Sequence, residues 1–332
     1  MSLFFTTEYQ PSMPLSEFQL IEKYFARQRI RRGDVALGIG DDAALLRVLP
    51  GMELVVAIDA MVEGRHFPAG TDPFAIGHKA LAVNLSDMAA MGAEPAWATL
   101  AISLPTADEA FVAQFTDGLF SLAHRYGVEL VGGDTVRGPL MVVVQMHGLV
   151  PAGKALKRSG AFPGDAIYVT GTLGDAGAAL QKIMNKEPCS DALRQRLERP
   201  EPRVKEGMAL REIASSAIDI SDGLVADLGH ILSASGFGAT LEVEALPLSS
   251  LLCDVVADPV KRWELALASG DDYELCFTVS PHREATLLNM AQSWPCGVTR
   301  IGTIDSTAGL RLQCRDGSPF SLEAHGFDHF AG

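Results

Sequence analysis

The chain is 332 residues long, 48% hydrophobic and 20% charged, with a formal net charge of -14. That length favours two cores over one, the composition is that of a folded globular protein, and the acidic balance repels nucleic acid and anionic membrane surfaces. The strongest apolar run, LMVVVQMHGLV at 140–150, is too short and interrupted for a spanning helix, and MSLFFTTEYQ lacks the features of a secretory leader. A cytoplasmic location is therefore expected, and the 5 scattered cysteines, never spaced C-x-x-C, predict reduced thiols rather than disulfides or structural zinc.

In chain order, SEFQLIEKYF predicts a helix capped by Ser16. After the turn GIGDD comes a strand, LVVAI at 54–58. FAIGHKALAVNLSDMAAMGAEP then carries Leu81, Leu85, Met88 and Met91 at helical spacing, with Asp87 beside that stripe and Gly92 and Pro95 as a stop. WATLAISLP predicts a strand, and Thr106 with Glu109 a capping box for the helix FVAQFTDGLFSLAHRY. VELVGG and LMVVVQMHGLV complete a first unit, residues 1–150. The polar, glycine-rich PAGKALKRSGAFPGD marks a boundary, and residues 151–332 form a second unit. There AIYVTG, SAIDIS, ATLEVEAL, ELCFTV and VTRIG read as strands, with helical patterns near 175–184, 204–215, 223–234 and 283–293. The fold class expected is α+β, helices and strands mixed, in two domains.

Apolar runs repeatedly end in aspartate: GIGDD, ELVVAIDA, VELVGGDT, SAIDISDG and ASGDDYELCF. Any one is ordinary turn or cap chemistry. As a set, carboxylates gathered at strand ends either disperse or share cations, because converging charges cannot all stay ionised alone. Oxygen-only ligands suit Mg²⁺ and phosphate chemistry, which makes Asp42, Asp59, Asp87, Asp134, Asp219 and Asp222 candidate metal ligands. No P-loop or protein-kinase motif is present. Basic donors for a nucleotide's phosphates are densest in GKALKRSG, at Lys154, Lys157 and Arg158, and His66 follows Asp59 on the same stretch, as a substrate contact or a structural histidine.

Together GIGDDAALL, DAMVEGRHF, HKALAVNLSDMAAMGAEP, GGDTVRGP, LKRSGAFPGD, VTGTLGDAG, ISDGLVADLGHI, SGDDYELCFTV and GFDHF, in this order from about 17 to 330, resemble the thiamine-monophosphate kinase family. This family lies in the aminoimidazole ribonucleotide synthetase superfamily. The resemblance implies a PurM-like fold, an N-terminal dimerising sheet or barrel domain with helices followed by a C-terminal α/β domain. It implies ATP-dependent phosphorylation of thiamine monophosphate to thiamine diphosphate by direct in-line transfer, with several Mg²⁺ ions, ATP as co-substrate and a homodimer. Those aspartates would hold metal, Gly133, Asp134, Arg158 and Ser221 would contact ATP, and His66, Asp271 and Phe327 would line the thiamine phosphate pocket. No catalytic side chain beyond these is implied, since the acceptor phosphate is already largely deprotonated near neutrality. The chain departs from the family pattern at Ala57 and Ile58, where hydroxyl residues are usual, at Asp271, often glutamate, and at Arg65, where a smaller or apolar residue is more common.

Two other readings compete. A relative within the superfamily would share the ATP and metal motifs; selenophosphate synthetases and hydrogenase-maturation relatives rely on a cysteine that this chain lacks near its start and at its end. A non-catalytic protein binding metal or thiamine phosphate would keep the carboxylates without the transfer.

Overall fold

The computed structural model describes residues 16–27 and 30–322. The first half runs α1 (Glu17–Leu20, continued as a π-helical turn, Ile21–Phe25), β1 (Val35–Leu37), β2 (Leu45–Leu46), β3 (Met52–Val62), α2 (Pro73–Ala90), β4 (Glu94–Leu104), α3 (Glu109–Tyr126), β5 (Glu129–Arg137) and β6 (Met141–Pro151). The second continues with β7 (Ala166–Thr170), α4 (Asp175–Met184), α5 (Asp191–Glu198), α6 (Val204–Leu210), β8 (Ala214–Asp219), α7 (Leu224–Ser235), β9 (Gly238–Glu242), α8 (Ser250–Val255), α9 (Pro259–Ala268), β10 (Leu275–Val279), α10 (Pro281–Ala291), β11 (Val298–Asp305) and β12 (Leu310–Gln313).

β1 and β2 pair antiparallel, the first half otherwise builds a 4-stranded sheet ordered β3-β6-β4-β5, and the second a 6-stranded sheet ordered β12-β9-β11-β7-β10-β8. The position of α2 organises the molecule. It is buried on nearly all sides, as expected of a helix enclosed between layers rather than laid on a surface. Leu81, Leu85 and Met88 are at most 1% exposed, each contributing about 1.5–3 kcal/mol of burial. They share one core with Val142, Val144 and Met146 of β6 and with Tyr168, Ala217 and Phe277 of the second sheet, so the apolar interior is continuous across both halves. Against α3, α2 packs backbone to backbone. A Cβ on Gly77 would sit 1.9 Å from the Phe115 carbonyl oxygen, and one on Gly118 would sit 1.9 Å from that of Phe74.

The Ser16 cap forms a full capping box with Gln19. For α3 the cap is instead Asp108, whose carboxylate accepts from the Ala110 and Phe111 amides, so the helix opens two residues after the site expected for Thr106. The pattern across 204–215 splits into α6 and the start of β8. The other face of the first sheet leaves Leu54, Val56, Ile58 and Val136 exposed. No helix among the described residues is long and apolar enough to cross a membrane.

Candidate active site

A cavity of about 550 Å³ opens between the two halves. Asp59 reaches it from β3 and Asp87 from the last turn of α2; Asp219 ends β8, and Ser221 and Asp222 lie on the turn before α7. Lys79, Val83 and Asp87 line it at four-residue spacing, one side of α2. Arg65, His66, Asp271 and Tyr273 also line it, as does the start of α4. Two local devices aim the groups. Ser86 donates to Asp219 Oδ2 at 2.8 Å, tying α2 to β8. Asp227 Oδ2 accepts from the amides of Ser221, Asp222 and Gly223 at 3.0, 3.0 and 3.1 Å, which folds the ISDG turn around one buried carboxylate.

The adjacent turn, GDDYE, is held in an uncommon backbone. Asp271 and Tyr273 have φ of 69° and 51°, a left-handed conformation that costs about 1–3 kcal/mol for a side-chain-bearing residue. The Asp271 amide donates to the Ser221 carbonyl at 2.9 Å and that of Tyr273 to the Ile220 carbonyl at 2.8 Å, fastening this turn to the other. Between them Asp272 is buried and accepts from the Gly174 amide at the start of α4 through both oxygens, 3.1 and 2.9 Å. Behind it Glu274, 0% exposed, takes a double hydrogen bond from Arg203, at 2.6 and 2.5 Å, and another from Thr170 at 2.7 Å.

Charge is strained in this cavity. Burial first, then the Asp219 and Asp59 carboxylates, pushes Asp87 up to about 8. Burial raises Asp219 to about 6, and Asp59 is raised by burial as well. Asp227 goes up to about 7, again chiefly through burial. Arg158 is exposed, yet its positive charge is felt at both Asp87 and Asp219. His66 accepts the Val62 amide on Nδ1 at 3.0 Å, which fixes the ring and commits that nitrogen. The donors facing the space are therefore mainly carboxylate oxygens.

The structure thus brings together Asp59, Asp87, Asp219, Asp222, Ser221, His66 and Asp271. Asp42, Asp134, Gly133 and Arg158 are not among the residues lining that cavity. Asp59 pairs with Val144, whose side chain lies in the core beside α2, whereas Asp134 pairs with Ala101 and Ala101 with Val143, one residue away and hence on the other face. Gly133 and Asp134 line a small separate hollow with Ile39, which belongs to the GIGDD turn that carries the exposed Asp42. Phe327 lies outside the described residues. Lys79, Tyr273 and Asp227 went unmarked in the sequence. The four-residue spacing from Lys79 to Asp87 was the available signal for the first, and Asp227 in the opening turn of α7 for the last.

Residues 40–150 match the family model described as AIR synthase related protein, N-terminal domain, and residues 163–315 match its C-terminal counterpart. Thiamine-monophosphate kinase of Escherichia coli O157:H7 is 50% identical over 329 residues, covering 96% of this chain and 99% of that protein. The chain belongs to the thiamine-monophosphate kinase family. The family's Bacillus subtilis (strain 168) member is 35% identical over 328 residues, covering 95% of this chain and 100% of that one. The crystal structure of thiamine-monophosphate kinase from Stenotrophomonas maltophilia K279a superposes with a TM-score of 0.85 at 45% identity, over 92% of this chain and 98% of that one. A second member of known structure, AaThiL complexed with AMPPCP and TMP, superposes with a TM-score of 0.75 at 32% identity, over 95% and 97%. The two-domain α+β, PurM-like fold expected from the resemblance is the fold found.

Proposed function

We propose that the chain phosphorylates thiamine monophosphate at the expense of ATP, giving thiamine diphosphate by direct in-line transfer in the cavity between its halves. The observation that carries this reading is identity of 50% along essentially the full length of a thiamine-monophosphate kinase. The gathered carboxylates support it, since a cavity for two phosphates needs countercharge. Asp59, Asp87, Asp219 and Asp222 would hold Mg²⁺ there. Their chemistry fits: all donors are hard oxygens, and Asp59, Asp87 and Asp219 resist ionising without a cation. Among the described residues no three His, Cys, Asp or Glu side chains form a ready cluster, so an ion held there would have to take most of its ligands from water and phosphate. When bound, Mg²⁺ supplies charge neutralisation and alignment of the two phosphoryl groups.

The chain's own residues bind and orient. Arg158 and Ser221 would contact ATP, with Gly133 and Asp134 at the same nucleotide, and His66, Asp271 and Phe327 would bound the thiamine phosphate pocket. A carboxylate and an aromatic ring are the groups that favour a cationic thiazolium. No general base is needed, because the acceptor oxygen carries its charge already. We further propose residues 1–150 and 151–332 as the two domains, and a homodimer formed through the apolar face that leaves Leu54, Val56, Ile58 and Val136 exposed. In such a pair the hollow with Asp42, Gly133 and Asp134 would meet the cavity of the other copy, which accounts for the split in the ligand set. Purified protein given ATP, Mg²⁺ and thiamine monophosphate, with free thiamine and aminoimidazole precursors as controls, tests the reading. Thiamine diphosphate should appear only with thiamine monophosphate; phosphorylation of a control instead, or no product at all, would overturn it.

A further inference from the structure

Lys79 is 4% exposed, and its Nζ lies 2.9 Å from Asp271 Oδ1 and 3.4 Å from the His66 carbonyl oxygen. Tyr273 donates to the same Oδ1 at 2.9 Å. Two donors from opposite halves of the chain therefore converge on one oxygen of a carboxylate that lines the cavity. A buried ammonium is costly unless paired. Arg203 and Glu274 form an ion pair within the second half that does not line this cavity, whereas both members of the Lys79–Asp271 pair do.

The ligand proposed for that cavity is itself a joined pair of opposite charges, a cationic thiazolium and a phosphate on a short arm. We propose that thiamine monophosphate opens the Lys79–Asp271 pair, the ammonium passing to the acceptor phosphate and the carboxylate to the ring, so that Lys79 selects phosphorylated over free thiamine. The inference rests on the function proposed above and adds a specificity-determining residue to it. One ion pair is exchanged for two when the phosphate is present. Free thiamine engages Asp271 alone and leaves the almost fully buried ammonium without its carboxylate, the case in which a buried charge is most destabilising.

Calorimetric titration of the whole protein with thiamine monophosphate and with thiamine, in Mg²⁺ and without ATP, tests this in the unsubstituted protein, Lys79→Met and Lys79→Arg. The unsubstituted protein should prefer the phosphorylated ligand. Lys79→Met should cut that preference at least tenfold, through weaker thiamine monophosphate binding with thiamine binding unchanged or tighter, and Lys79→Arg should restore most of it. Equal weakening of both ligands, or an unchanged preference, would overturn the inference. Should Lys79→Met fail to fold, Asp271→Asn serves. Freed of its partner, Lys79 should then bind inorganic phosphate at least fivefold more tightly than in the unsubstituted protein, and equal or weaker binding would count against the exchange. An unsubstituted protein that binds no thiamine monophosphate defeats the parent reading and this one with it, whereas one that binds both ligands equally defeats only the role of Lys79.

Discussion

Replacing Asp87 by asparagine should stabilise the metal-free protein at pH 8 while leaving it nearly unchanged at pH 4. The folded-state carboxyl, raised from 3.8 to about 8 by burial and then by its acidic neighbours, keeps its proton over a range in which the unfolded chain has lost it. Stability contributed by the protonated group is therefore complete below 3.8 and lost steadily as pH rises toward 8. At about 1.4 kcal/mol per tenfold, the loss at pH 8 is on the order of 5 kcal/mol. Asparagine never incurs it, and because Asp59 and Asp219 share the strain, a net gain of about 2 kcal/mol or more is the expected outcome. Chemical denaturation in chelator at both pH values measures this directly. Saturating Mg²⁺ with nucleotide should reverse the order, since ligand binding then stabilises only the unsubstituted protein. A variant equally destabilised at pH 4 and pH 8 would refute the electrostatic account and assign Asp87 a packing role.

Other outcomes follow from the same geometry. Arg203→Met leaves Glu274, 0% exposed, without its double hydrogen bond, and denaturation should report a loss of about 3–5 kcal/mol; a loss below about 0.5 kcal/mol, the surface-substitution range, would show the pair to be dispensable. Gly118→Ala drives a Cβ to within 1.9 Å of the Phe74 carbonyl oxygen, so α2 and α3 must separate at a cost of about 3 kcal/mol, read as a lowered melting temperature. His78, whose Nε2 lies 3.1 Å from the Pro200 carbonyl oxygen, is held below its ordinary 6.5 by burial. Its contribution is present above 6.5 and is lost as pH falls from there toward the depressed folded value; a His78→Gln variant should show a flatter acid limb in a pH series of melting temperatures.

Much of this architecture was legible because its signals are local. The stripe Leu81, Leu85, Met88 announced α2, and the aspartates ending apolar runs announced the site, four of them meeting in one cavity. What needed the third dimension was strand order. Asp59 and Asp134 read alike in sequence, yet the order β3-β6-β4-β5 and its register set them on opposite faces. Lys79 was hidden because a lysine in an apolar helix ordinarily reaches out to water, and its partners, Asp271 and the His66 carbonyl, are far away in the chain or on another element. The helices α5 and α8, at 8 and 6 residues, are too short for periodicity to declare. At α3, Asp108 won over Thr106 because its carboxylate reaches two amides.

The most direct test of the account is thiamine diphosphate formation from ATP and thiamine monophosphate across a Mg²⁺ titration, with the unsubstituted protein and Asp87→Asn measured side by side. Magnesium-dependent product from the first, and a rate lower by about a thousandfold or more from a folded second, on the scale of losing transition-state charge stabilisation, is the predicted result. A folded Asp87→Asn that turns over normally would contradict the placement of phosphoryl transfer among these carboxylates.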